Sequence, residues 1–231
     1  MKADADIAGE KPGEMPEEQA GAPGGRIRQA TMAHILSAAE QVFAEAGYAG
    51  ASMSRLAKAA GLPKPNLHYY FGSKQALYTA VLQNILTLWL DAADDILPER
   101  DPAEALSAYI RAKMAHSRSR PHASKVFANE VLRGAPELHS YLGLELRRIV
   151  DEKALVLEDW AKRGLMDALD ARHLFFAMWA MTQTYADFDV QIRAVLGVRE
   201  LDDAAFETAR LMVTRLVLRG CGVTMKEAAC P

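Results

Sequence analysis

Lys64 and Asn66 are suited to reading the edge of a nucleic acid base. An asparagine amide can pair with adenine through two hydrogen bonds, and a lysine ammonium can reach guanine or a phosphate. Both stand in the run Met53-Ser-Arg-Leu-Ala-Lys-Ala-Ala-Gly61-Leu-Pro-Lys-Pro-Asn-Leu67-His-Tyr-Tyr70. Pro65, His68 and Tyr69 lie on or near the same surface as Lys64 and Asn66. Tyr69, Tyr70 and Lys74 suit phosphate contacts. Ser52 and Ser54 precede or open the first helix of the run; either can cap it, and both are candidate DNA contacts. His68 reads as a neutral surface or packing histidine, with a pH-dependent phosphate contact as the alternative.

A second set of residues points to a small ligand. Trp179, Gln183 and Asp187 recur every four residues and so line one helix face. A flat, polar heterocycle needs an aromatic wall and a paired donor and acceptor at its edge, which Trp179 and the Gln183 amide would supply. Trp89 and Phe127 could close the apolar walls, with Tyr185, Lys125 and Asn129 as weaker additions. The alternative for Trp179 is a core position, and Trp160 is read as core. Catalysis has no comparable constellation. The six histidines are scattered, and Asp170 with His173 forms a lone pair of potential metal ligands. No glycine-rich phosphate loop occurs, so neither an enzyme nor a metal or cofactor protein is expected. Cys221 and Cys230 form no CxxC pair and read as unpaired thiols in a reducing cytoplasm.

The elements that would position these residues are helical. Half of the 231 residues are hydrophobic, ample for a core. No window approaches eighteen consecutive apolar residues, so no membrane span is expected. Residues 1–25 are rich in Gly, Pro, Glu and Ala and read as a disordered tail. From residue 26 the spacing of Ile35, Leu36, Ala39, Val42, Phe43 and Ala46 predicts an amphipathic helix stopped by Gly47. Ala57 lets two short helices approach closely, and Gly61 supplies the positive φ of the turn between them. Leu56, Leu62 and Leu67 would form the small core. Ser73 caps a long helix beginning at Lys74. Beyond it, helices are predicted near 74–96, 103–119, 122–133, 137–163, 171–196 and 203–219, separated by Pro and Gly breaks. Sustained two-residue alternation is absent, so strands are not expected.

Charge is distributed unevenly along the chain. The net formal charge is −3, an apparent objection to DNA binding. Residues 26–80, however, hold six basic residues (Arg26, Arg28, Arg55, Lys58, Lys64, Lys74) against Glu40 and Glu45. The basic segment coincides with the helix-turn-helix pattern, as phosphate binding requires.

The matching runs Ile35-Leu36-Ser-Ala-Ala39, Phe43-Ala-Glu-Ala-Gly47-Tyr48, Ser52-Met-Ser-Arg-Leu-Ala57, Ala60-Gly61-Leu-Pro-Lys64 and Leu67-His-Tyr-Tyr-Phe71-Gly-Ser-Lys74-Gln-Ala-Leu77 resemble the DNA-binding domain of the TetR family. That family often has Tyr at the position of His68 and Gly at that of Pro65, which bears on base contacts and not on the fold. The resemblance implies an all-α protein: a three-helix helix-turn-helix domain over residues 26–74 and a helical ligand-binding and dimerisation domain over residues 75–231. It implies a homodimer, a palindromic double-stranded operator, and repression relieved by a small effector. The stretches Leu86-Thr-Leu-Trp89-Leu, Phe127-Ala-Asn-Glu130-Val-Leu-Arg-Gly134-Ala-Pro136 and Met178-Trp179-Ala-Met-Thr-Gln183-Thr-Tyr185-Ala-Asp187-Phe188 resemble the pyrimidine-responsive members of the family. They imply a pyrimidine effector such as uracil or thymine and place Trp89, Trp179 and Gln183 in its pocket. The apolar stripes over 174–185 and 206–217 are the expected dimer helices.

Overall fold

In the computed structural model, which describes residues 23–223, those residues form helices and connecting turns with no strand among them. Helix α1 (Pro23–Gly50) buries Ile35, Ala39, Val42 and Phe43. Its regular part ends at the expected residue: Gly47 has φ 66° and ψ 174°, outside the helical region. Pro23, Gly24 and Gly25 already belong to α1, so the tail expected over 1–25 is shortened by three residues. A proline is tolerated there because the first N–H groups of a helix have no intrahelical partner. The rest of that expectation lies outside the described residues.

The next two helices, α2 (Met53–Ala59) and α3 (Lys64–Phe71), form the helix-turn-helix. Ser52, not Ser54, caps α2, accepting from the Arg55 amide at 3.2 Å. Gly61 at φ 64° closes α2: its amide donates to Lys58 O and that of Leu62 to Ala57 O. This left-handed closure satisfies carbonyls that the helix end would otherwise leave open. Leu56, Ala57 and Leu67 are buried, while Leu62 is only partly covered.

Ser73 caps α4 (Lys74–Asp91), accepting from the Ala76 amide at 3.1 Å. Helix α4 buries Leu77, Val81, Leu82, Ile85 and Leu86 in the same core as Ile35, Leu56 and Leu67, together with Ala123 and Val126 of α6 (Pro121–Leu132). Residue 74 therefore marks a helix start and not a break in packing. The second core joins α5 (Pro102–Ser119), α8 (Arg147–Lys162), α9 (Ala171–Asp187) and α11 (Asp203–Gly220) around Leu106, Ile110, Trp160 and Met178. Trp160 is fully buried there, and its indole donates to Pro98 O at 3.2 Å.

Two expected helices are interrupted. The stretch predicted as 137–163 comprises α7 (His139–Tyr141), a π-helical segment Leu142–Leu146, and α8. The stretch 171–196 divides at Phe188 into α9 and α10 (Asp189–Leu196). Gly143 lies within the π-helical segment, whereas no glycine or proline marks the change at Phe188. There the backbone (φ −116°, ψ 31°) leaves the helical region, while Asp189 is held by Lys125 and Arg193.

Candidate functional site

The exposed face of α3 carries Lys64, Pro65, Asn66, His68 and Tyr69, with Tyr70 half-buried beside them. Proline enters the helix in its first turn, where its missing N–H is harmless. The His68 ring Nδ1 lies 2.8 Å from Gly72 O, so this nitrogen donates and Nε2 is left toward solvent. Arg28, at the start of α1, reaches across to α3. Its guanidinium donates to the Tyr69 hydroxyl at 3.3 Å and sits 5.5 and 5.6 Å from the Tyr69 and Tyr70 ring centres. A phosphate approaching Tyr69 would meet this charge as well.

Lys74 is placed differently from the phosphate contact expected of it. Its ammonium donates to Tyr48 O at 2.9 Å and Ala51 O at 3.0 Å, and lies 4.3 Å from the Tyr48 ring centre. Those contacts direct it into the junction of α1 and α2, where it ties α4 to the end of α1.

The second site is a cavity of about 340 Å³ between α4, α5, α6, α8 and α9. Trp89, Phe127, Trp179 and Gln183 line it, as expected. Trp89 and Phe127 meet edge to face, their ring centres 4.5 Å apart. The Trp179 indole donates to the Tyr109 hydroxyl at 2.7 Å, which fixes both rings. Gln183 follows one turn after Trp179, and its amide has no hydrogen-bond partner among the described residues. Leu142, Leu146, Ile149 and Val150 add apolar lining.

Tyr185 and Asp187 do not line the cavity, contrary to the expectation. Two residues of α-helix turn through about 200°, so Tyr185 faces away from Gln183 and packs on Phe206 at 6.2 Å. Each four-residue step overshoots a full turn by about 40°, and by Asp187 the face has drifted off the cavity. There Asp187 accepts from the Ser124 hydroxyl at 2.5 Å and joins α9 to α6. Burial raises its carboxyl pKa, opposed by Ser124, Lys113 and Lys125. Lys125 is bonded to Asp189 at 2.7 Å and is likewise a helix tie.

The family model for the C-terminal region of the YcdC-like protein matches residues 82–224, and that of the bacterial regulatory proteins of the tetR family matches residues 35–81. This chain belongs to the TetR family. The HTH-type transcriptional regulator RutR of Escherichia coli K12 is 41% identical over 186 residues, covering 80% of this chain and 88% of RutR. The HTH-type transcriptional repressor NicS of Pseudomonas putida is 29% identical over 205 residues, covering 85% of this chain and 96% of NicS. Among solved structures, the TetR-family regulator PfmR of Thermus thermophilus shares the fold with a TM-score of 0.63 and 24% identity, covering 80% of this chain and 97% of PfmR. The chain is thus an all-helical, DNA-binding transcriptional regulator of the TetR family, not an enzyme.

In this TetR-family chain the cavity contains groups that sequence reasoning missed. Tyr109, Lys113 and Lys153 all line it. Lys153 donates to Ile96 O at 3.2 Å. Lys113 is 3% exposed, and its ammonium stands 4.4 Å from the Trp89 ring centre. Burial pushes its pKa down to about 8, opposed by the charge of Asp187. No neighbouring motif marks these residues, because a basic residue every turn or two along α5 ordinarily reads as a solvated face. Cys221 is a free, buried thiol whose pKa burial raises to about 11; Cys230 lies outside the described residues. No group of three or more His, Cys, Asp or Glu side chains among the described residues could hold a metal ion. None of the described helices is long and apolar enough to cross a membrane.

Proposed function

We propose that this regulator is a cytoplasmic homodimer that represses from a palindromic operator and is released by a pyrimidine base such as uracil or thymine. The observation that carries the reading is the unpartnered Gln183 amide in a cavity walled by Trp89, Phe127 and Trp179. A primary amide offers a donor and an acceptor side by side, matching the alternating N–H and C=O edge of a pyrimidine dione. The tryptophans supply flat apolar surface for its ring faces. The 41% identity to RutR and the similarity of residues 86–188 to pyrimidine-responsive regulators support the same class.

Lys64, Asn66, His68, Tyr69 and Tyr70, joined by Arg28, form the DNA-contacting face in this reading, with Ser52 and Ser54 near its edge. Ser73-capped α4 starts beneath that face and delivers Trp89 to the cavity. A ligand that binds more tightly when the two heads are mis-spaced shifts the population away from the DNA-competent dimer. An operator selected from random-sequence DNA tests the proposal. Uracil or thymine should weaken binding of the wild-type protein. The Gln183→Leu variant should keep its operator affinity and lose the response. Unchanged wild-type operator affinity in saturating uracil and thymine would remove the ligand assignment.

A further inference from the structure

Lys113 presents the cavity with a charge that the protein itself leaves without a hydrogen-bond acceptor. The side chain is 3% exposed, and no described residue accepts a hydrogen bond from its ammonium. Its ring partner, Trp89, offers a π face but no lone pair, so three N–H donors remain to be satisfied. An ammonium this far from bulk water is costly unless an acceptor reaches it. The groups around it do not fill that need. Asp187 on α9 acts on it only through its field and is itself bonded to Ser124. His116, three residues along α5, is disfavoured as a cation by burial, by Lys113 and by Arg120, with Asp91 opposing. Lys153, which also lines the cavity, is a donor and offers no acceptor. The open side of Lys113 is the cavity.

We propose that Lys113 is the anchoring charge of the effector site, donating to a negatively polarised exocyclic oxygen on a flat ring that packs against Trp89 and Trp179. The occupant is therefore an oxygen-bearing planar ring, and purely apolar or cationic rings are rejected. This deepens the pyrimidine reading: one carbonyl of the dione sits on Lys113 while Gln183 pairs with the remaining edge. A ring carboxylate would satisfy the same lysine, and the two sources are separable. Occupancy is then felt at α4. An oxygen that draws the ammonium toward the ligand removes it from Trp89, loosening the last turn of the helix that starts under the DNA-binding head.

The test is calorimetric titration of full-length protein with uracil and with benzoate, using wild type, Lys113→Met and Lys113→Gln. Methionine keeps the buried stem, and glutamine keeps a neutral donor. Wild type should bind one of the two rings, and K113M should lose about 10- to 100-fold in affinity for it, the range of a charge-assisted hydrogen bond. K113Q should lose less. The pH profile gives a reading that needs no variant. Because the ligand takes its bond from the protonated lysine, affinity should be level below the free-protein value of about 8. Above it, affinity should fall toward tenfold per pH unit, and this fall between about pH 8 and about pH 9 should vanish in K113Q. His116 titrates below this window, its pKa lowered by burial. Uracil binding that is unaffected by either substitution and level across that pH range would overturn the anchor while leaving the pyrimidine reading intact. Lys113-dependent binding of benzoate without uracil would keep the anchor and remove the pyrimidine. Binding of neither ring would overturn the anchor.

Discussion

Asn66 and His68 are both exposed on α3, two residues apart, yet have different freedom. The Asn66 side chain is exposed and has no hydrogen-bond partner among the described residues, leaving its amide available for a base edge. His68 is already engaged with Gly72 O. Asn66→Ala should therefore cost about 1–3 kcal/mol of operator affinity and relax preference at a single base pair. Fluorescence anisotropy over operators varied one pair at a time checks this; a uniform loss across all of them would make Asn66 a backbone contact. Lys74 shows the limit of reading a residue by type. Its charge counts toward the basic segment, but Tyr48 and Ala51 carbonyls take two of its three donors.

Helix α6 links the two sites at the scale of elements. Phe127 faces the cavity, Ser124 and Lys125 bond to Asp187 and Asp189, and buried Glu130 accepts from the Tyr78 hydroxyl of α4 at 2.9 Å. The same Glu130 accepts from the Glu137 amide at 2.7 Å, fixing the turn after α6. At the other end, Arg120 at the α5–α6 junction pairs through two nitrogens with Glu40 on α1, whose side chain is 4% exposed. Removing the arginine leaves that carboxylate buried and alone. Arg120→Met should destabilise the fold by about 3 kcal/mol, the low end for breaking a buried pair because Arg120 is partly solvated. Urea unfolding at fixed protein concentration measures it; a midpoint equal to wild type would show that Glu40 finds another partner. None of these ties was legible in advance. Glu40 and Glu130 sit on predicted helices as single charges, and only packing reveals which partner reaches them.

At the scale of the whole molecule, apolar side chains of neighbouring helices are left uncovered among the described residues. Leu211, Met212 and Leu216 of α11 are each more than half exposed, as are Phe188 and Val190 at the α9–α10 junction. Isolated exposed apolar residues are ordinary, but several along consecutive helices mark an interaction face. In the dimer proposed above, this face meets its two-fold copy. A charge at its centre should be refused: Leu216→Glu should give a monomer by light scattering at micromolar concentration and bind a palindromic operator at least about tenfold more weakly, since a lone head loses its tethered partner. A dimer of unchanged stability would place the interface elsewhere.

The amino-acid sequence by itself determined the order and type of nearly every helix. Capping serines, positive-φ glycines and three- and four-residue apolar spacing act locally, within a turn or two of chain. Helix spacing also put Trp179 and Gln183 on one face, and the resemblance pointed to Trp89, but neither marked Tyr109, and Asp187 on the same stripe falls outside the cavity. Tertiary structure alone decided the charges. Lys113, Glu40 and Glu130 are buried by residues distant in the chain, and Lys74 is turned inward by carbonyls of another helix. The segment expected as the DNA-binding head, 26–74, holds the predicted helix-turn-helix, while its core extends through α4 and α6 toward the cavity. Local rules place backbone; the fate of a long charged side chain depends on which acceptors and which solvent remain after packing.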